Sequence, residues 1–461
     1  MLQSLPQLLP EQSNFFNAVM HKLDNNSPAI FCLDAPGGTG KTKVLNLLLS
    51  KVRSNGDIAL AVASSGIAAT LLDGGKTAHS GLNIPLDILT TGKKNCNITK
   101  NSNKGELLRR CKLLVWDEAT MAHKILLEAV DTTLKDIRTQ PTLPMGGLVV
   151  VLAGDFRQTL PIVQNGTPAD QIHACIKNSW IWEHVQLHRF SINMRARLFN
   201  NVDSDNFSRI LLDIGNGTRP LDADRKITLD NNVCNLVENH EQLITKVYPY
   251  LRRNYKNIDW LRERCILAPT NVDINTINNA CLDRIPGNAI TYTSIDSVLN
   301  EDDSVMCPPE VLNSFEMSGI PQHILQLKVG APIILMRNLY GPNLVNGTRL
   351  QITDLKNNLI IAKIMTGRGK GDLVAIPRIP MIPMNCPVRF KRLQFPIKLA
   401  FAMTINKAQG QTMTYIGIYL KTECFSHGQL YVALSRVSSS ENVYVCASST
   451  KTTNIVYRSI L

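Results

Sequence analysis

The stretch FCLDAPGGTGKT, residues 31–42, is an apolar run that breaks into a glycine-rich turn and ends on Gly40-Lys41-Thr42. That order puts a phosphate cradle between a strand and a helix. The small residues Gly37, Gly38, Thr39 and Gly40 let backbone N–H groups approach phosphates. Lys41 places a point charge on the terminal phosphates, and the Thr42 hydroxyl can ligate Mg²⁺. The first glycine of the usual pattern is Ala35 here. Pro36 pushes Ala35 toward extended backbone, where an L-residue is unstrained. The bland alternative is an ordinary glycine-rich strand–helix turn. Such a cradle says only that a nucleotide binds.

Four short apolar runs stand out: Ala29–Leu33, Ile58–Val62, Leu113–Trp116 and Leu148–Leu152. Helical patterns such as Lys43–Val52 separate them, which is the texture of a doubly wound parallel sheet. Each run ends in small or polar residues, so four strand ends are expected to converge on one rim, where such sheets bind ligands. Asp117-Glu118 closes the third run. Asp117 can hold Mg²⁺ through water, and Glu118 can accept a proton from an attacking water. Alone, the pair would read as a helix cap. Gln158, in Gly154-Asp-Phe-Arg-Gln158, can sense a terminal phosphate, or be a loop amide satisfied by backbone. Positive charge for the transferring phosphoryl group is expected from Arg195 and Arg436, in NMR and LSRV. The alternative for each is a surface ion pair.

The 461 residues suffice for two to four domains, and 44% apolar with 19% charged residues is a globular composition. No apolar run approaches the roughly 18 residues of a membrane span. The start, MLQSLPQLLPEQ, lacks the basic-then-apolar order of a secretion signal. Eleven cysteines without a C-x-x-C pair argue against zinc and disulfides and for a reducing intracellular compartment. The formal net charge is +12, and residues 361–461 hold 13 Lys/Arg against 3 Asp/Glu. That imbalance suggests a polyanionic partner, or simply a solvated basic surface.

The polar stretch between Leu86 and Leu107 lacks apolar periodicity and reads as a loop or as a small mobile arm beside a nucleic-acid track. A second α/β pattern starts near Leu187, with a strand at Arg264–Ala268 and a helix over 272–285. Residues 327–397 change to short strands and hairpin turns at Asn346-Gly347 and Asn357-Asn358. They read as a small β-barrel inserted in the second α/β region.

These strings resemble the Pif1-like helicases of superfamily 1, most closely the helicase portion of Helitron-type transposons and related viral or eukaryotic proteins. They are PEQ (10–12), APGGTGKT (35–42), ASSGIAATLLDGGKTAHS (63–80), LVWDEATMAHK (114–124), GDFRQTLPIV (154–163), NMR (193–195), ILAPTN (266–271), LKVGAPIILMRN (327–338), NGTRL (346–350), TINKAQGQT (404–412) and FSHGQLYVALSRV (425–437). They run in family order along nearly the whole chain. The resemblance implies two RecA-like parallel-sheet lobes with a small inserted arm and an inserted SH3-like β-barrel. Lobe 1A would span 1–186, with the arm at 86–107. Lobe 2A would span 187–326 and 398–461, with the barrel at 327–397.

By the same resemblance, Gln12 reads adenine, Gly37 to Thr42 hold the triphosphate, and Gln158 senses the γ-phosphate. Arg195 and Arg436 cross a cleft between the lobes, and Gly410 and Gln411 couple nucleotide to strand. Thr77, His79, Arg368, Lys370 and Lys407 contact DNA. The implied activity is ATP- and Mg²⁺-dependent 5′-to-3′ DNA unwinding in repair, recombination, telomere maintenance or transposition. Single-stranded, duplex and forked DNA are the implied partners. The chain is expected to act as a nuclear monomer, with a DNA-assisted dimer as the variant. The His-x-His pair of the transposon nuclease is not visible, so nicking is not expected. Two other readings remain: a P-loop ATPase of another kind, and a degenerate DNA-binding remnant. Stimulation of ATP turnover by single-stranded DNA separates the first, and measured turnover the second.

Overall fold

The computed structural model describes residues 8–164, 166–192, 194, 202–299, 307–317, 319–341, 343–367, 369–383, 386 and 388–461. The chain forms two compact units. The first runs to Thr228 and includes Cys424–Ser440 and Thr452–Leu461; the second holds Leu229–Glu423 and Glu441–Lys451.

In the first unit, β1 (Ala29–Asp34), β2 (Ile58–Ala63), β3 (Lys76–Thr77), β4 (Cys111–Asp117), β5 (Val149–Gly154) and β6 (Val185–Arg189) form one sheet. Its order is β3-β2-β4-β5-β1-β6 and every pairing is parallel. The four expected strands are all present, each extended at its C-terminal end. Every residue of β1 and β5 is buried, because helices cover both faces of such a sheet. Ile30 and Cys32 enter one core with Leu114, Val150 and Leu152. Phe31 and Leu33 enter the other with Phe15, Val44, Leu48 and Val151.

Two helices frame the glycine-rich turn. Helix α1 (Pro10–Asp24) begins with proline at its first position, where the missing N–H costs nothing. Helix α2 (Lys41–Ser54) buries the stripe Val44, Leu45, Leu48, Leu49 and Val52 at helical spacing. The strand register then aligns the chemistry. Asp34 lies opposite Gly154, and Ala63 opposite Asp117, so the four ends form the expected rim.

Two expected boundaries differ from the observed units. The boundary at 187 falls inside β6, whose His188 and Arg189 pair with β1. Of the region assigned from 398 onward, residues 424–440 and 452–461 pack with the first unit instead, because the buried helix α4 (Gln429–Leu434) packs on helix α3 (Val202–Asn216). Residues 86–107, expected as a loop or a small mobile arm, are anchored to the first unit. Ile88, Cys96 and Leu108 are buried, Cys96 N donates to Thr133 Oγ1 at 2.8 Å, and Lys104 Nζ bonds Ser80 O and Asn83 Oδ1. Two apolar anchors within the stretch, with Leu108 just beyond it, are too few to show periodicity, yet enough to pin it.

The second unit contains a parallel sheet ordered Ala402–Thr404, Arg264–Ala268, Tyr415–Leu420, Val443–Ala447, Asn235–Val237. The expected helix spans Asn271–Arg284. A five-stranded antiparallel sheet follows the order Leu373–Pro377, Leu359–Ile364, Arg349–Leu355, Pro332–Leu335, Ile397–Leu399. Both predicted turns occur in it: Gly347 takes φ 95°, and Lys356 N bonds Leu359 O across Asn357-Asn358. The antiparallel part begins well before residue 327. Ile290–Thr293 pairs with Ile324–Leu327, and Ile295–Val298 with Phe390–Gln394.

That early strand is locked by an ion pair with no solvent exposure, Arg392 Nη2 to Asp296 Oδ2 at 2.7 Å. Arg392 also donates to the Leu312, Phe315 and Pro321 carbonyls. Removing one partner strands a buried charge, so Asp296→Ala is expected to cost about 3–5 kcal/mol, read by urea unfolding. Wild-type stability in that variant would show that the carbonyls alone satisfy the guanidinium. Among the described residues, no helix is long and apolar enough to cross a membrane.

Candidate active site

The turn after β1 is shaped by two glycines. Gly38 takes φ 89° and Gly40 φ 83°, a region costly to residues with a Cβ. At Gly40 an added Cβ would also lie 2.9 Å from Gln12 Nε2. The turn is tied internally by Thr39 Oγ1 donating to Pro36 O at 2.9 Å, and to the sheet by Ala35 N donating to Gly154 O at 2.9 Å. Ala35, the departure from the usual pattern, is buried and unstrained. Gln12 donates from Nε2 to Thr39 O at 2.8 Å and accepts from Leu9 N at 3.1 Å. The residue expected to read adenine therefore also braces the cradle.

Lys41 opens α2 and points back across the rim. Its Nζ lies 3.2 Å from Asp117 Oδ1 and 3.4 Å from Glu118 Oε1. Burial opposes the ammonium charge, but Asp117 and Glu118 override it and hold the amine above its ordinary value. Burial likewise pushes Glu118 above the usual carboxylate range, against the pull of Lys41. Glu118 sits at φ 50°, a conformation that stores strain in a non-glycine residue. Its backbone N bonds Asp117 Oδ1 at 2.9 Å. Glu118 Oε2 is buried with no hydrogen-bond partner among the described residues. Thr42 adjoins this group from the first turn of α2.

Beyond β5, Asp155 is fully buried and gathers the turn that follows. It accepts from Arg157 Nη1 at 3.0 Å, Tyr431 Oη at 2.7 Å and Gln158 Nε2 at 3.5 Å. Burial, with Asp155 beside it, raises Asp34 despite Arg157. Arg436 is buried, with Nε bonded to Val432 O at 2.8 Å and Nη2 to Ser435 Oγ at 2.7 Å. Its charge acts on Glu118, lowering the carboxyl. Lys41, Thr42, Asp117, Glu118, Gln158 and Arg436 thus all belong to the first unit, around one rim. Arg195 lies outside the described residues. Its neighbour Met194 donates N–H to Gly38 O at 2.9 Å.

The residues expected at DNA are spread more widely. Thr77 Oγ1 caps the short helix Ala78–Leu82 by accepting from Ser80 N, and burial holds His79 below its ordinary value. In the second unit Lys370 pairs with Asp259 at 2.8 Å and Lys407 with Asn346 Oδ1 at 2.9 Å. Gln411 Nε2 reaches Lys407 O at 3.0 Å, after Gly410 at φ 74°. Arg368 lies outside the described residues. Sequence reasoning missed Asp155, Tyr431 and His427 as members of one network. Asp155 stood in a quoted string, but nothing in spacing ties it to residues some 270 positions later.

Residues 7–225 match the family model described as PIF1-like helicase, and residues 310–355 match the DNA helicase Pif1 2B domain. Together these regions span more than half of the chain. The chain is 27% identical to the ATP-dependent DNA helicase Pif1 of Psychrobacter, over 89% of this chain and 64% of that protein. It is 26% identical to the ATP-dependent DNA helicase PIF6 of Trypanosoma brucei, over 89% of this chain and 50% of that protein. The chain therefore spans between half and two thirds of the length of these curated relatives. The fold matches the crystal structure of Pif1 helicase from Bacteroides in complex with ADP-AlF3 and ssDNA. The TM-score is 0.68 at 22% identity, covering 98% of this chain and 94% of that one.

Proposed function

The chain belongs to the Pif1-like helicase family, and from that premise we propose that it is an ATP-dependent DNA helicase that moves 5′ to 3′ on single-stranded DNA and unwinds duplex and forked DNA. One observation carries the reading: the Lys41 ammonium, the Asp117 and Glu118 carboxylates and the unpartnered Glu118 Oε2 meet at the end of the glycine-rich turn. An apolar or structural role needs no acceptor left open beside a buried cation.

The oxygen donors fit Mg²⁺, which takes few protein ligands and completes its shell with phosphates and water. Thr42 and Asp117 would hold it, and when bound it would neutralise charge on the phosphates. Gly38, Gly40 and the start of α2 present N–H groups to the triphosphate. Lys41 exchanges Asp117 and Glu118 for the terminal phosphates. Glu118 Oε2 accepts the proton of the attacking water, and Gln158 and Arg436 address the departing phosphoryl group, with Arg195 in the same role. Gln12 takes the adenine edge. Gly410 and Gln411 relay the change to DNA held by Thr77, His79, Arg368, Lys370 and Lys407.

The work such a motor serves is repair, recombination, telomere maintenance or transposition, in the nucleus, as a monomer that DNA can bring into pairs. A closer tie to Helitron-type helicases rests on the motif strings. Strand displacement on 5′- and 3′-tailed duplexes tests the whole reading: unwinding is expected only from the 5′ tail, with ATP turnover stimulated by single strands. Unwinding from the 3′ tail alone would overturn the polarity, and unstimulated turnover would favour another kind of P-loop ATPase. Affinity for single strands should fall with salt by a log–log slope of about 0.7 per phosphate neutralised. A flat response in a salt titration would remove the basic residues from the track.

A further inference from the structure

Buried contacts join the Asp155–Gln158 turn to the segment that carries Arg436, and the chemistry above uses none of them. Tyr431 Oη donates to Asp155 Oδ2 at 2.7 Å. His427 Nε2 lies 2.8 Å from Phe156 O, and His427 Nδ1 lies 2.9 Å from Tyr457 N. A carbonyl only accepts and a backbone N–H only donates, so the ring must be neutral with its proton on Nε2. His427 is completely buried, and its ring stacks on Tyr457 with centroids 5.2 Å apart. Gly428 follows at φ 70°, where an added Cβ would lie 2.2 Å from Arg157 O. The start of α4 is therefore pressed against the turn.

The two catalytic side chains sit at the ends of this body. Gln158 is held to Asp155 at 3.5 Å. Arg436 is held to the last turn of α4 through Val432 O. Arg157 ties the same turn to α3 through Asn216 Oδ1 at 2.9 Å.

We propose that His427 and Tyr431 are positioning residues for ATP hydrolysis, locking the Gln158 turn to the Arg436 helix so that both side chains address the same phosphate. This rests on the nucleotide-site reading above. Neither residue touches the nucleotide in it, so their loss acts on geometry at the moment of reaction. A misplacement of about 1 Å costs on the order of 10²-fold in rate.

The test is steady-state ATP hydrolysis by the full chain at saturating single-stranded DNA. Wild-type turnover is measured first; its absence refutes the proposed function and this inference with it. His427→Leu keeps bulk but loses both bonds, and is expected to lower kcat about tenfold or more with KM for ATP within about twofold. His427→Gln keeps an N–H for Phe156 O and is expected to recover kcat to within about threefold of wild type. Tyr431→Phe removes one oxygen and is expected to lower kcat in the same way. Unchanged kcat in both His427→Leu and Tyr431→Phe overturns the proposal, as do equal losses in the Leu and Gln variants or a loss confined to KM. If His427→Leu does not fold, Tyr431→Phe decides.

Discussion

Lys41→Ala is expected to abolish DNA-stimulated ATP turnover, lowering kcat by at least about 10²–10³-fold, the usual scale for one preorganised electrostatic group. Among the described residues, Lys41 is the cation in contact with both Asp117 and Glu118, at 3.2 and 3.4 Å. Without it, two buried carboxylates face each other and the incoming phosphates with no ammonium between them. Glu118, already raised by burial, would rise further and take up a proton, which removes the base as well as the cation. Binding to single strands should survive in part, because the residues proposed for DNA lie elsewhere. Phosphate release and strand binding measured on the same preparation check both halves. Normal turnover in this variant would remove the cradle from the chemistry.

Glu118→Gln is expected to bind ATP and fail to turn it over, with kcat down about 10²–10⁴-fold, the range for a lost general base. The amide matches the carboxyl in size, so the φ 50° backbone and the Asp117 contact persist. It cannot accept the proton of an attacking water. Nucleotide binding by a fluorescent analogue, compared with single-turnover hydrolysis, separates these effects. In the wild type, the raised carboxyl predicts an acid limb. Glu118 serves as base only when ionised, so kcat falls as pH drops through its elevated pKa, and the limb disappears in the variant. Equal rates in the two proteins would show that another group takes the proton.

How far the site could be read from residue order depends on distance along the chain. The glycine-rich turn, the Asp117-Glu118 pair and, four residues beyond β5, Gln158 lie at or just past strand ends, and parallel strands carry such residues to one rim. Arg436 was legible as a residue but not in its setting. It was expected on a second lobe, and it belongs to the same compact unit as Lys41. In the segment 86–107 the anchoring was not legible, because its polar residues outnumber the two buried apolar side chains, Ile88 and Cys96, that hold it down.

Residue order by itself pointed to the parallel sheets and to a glycine-rich turn at a strand end, because strand periodicity, glycine spacing and strand-end polarity are local properties written in neighbouring residues. Long-range packing decided that Lys41 is clamped by both carboxylates, that Glu118 Oε2 has no donor among the described residues, and that His427 and Tyr431 hydrogen-bond the turn that carries Gln158. Those facts depend on burial and on contacts between residues up to 276 positions apart, which no local pattern encodes.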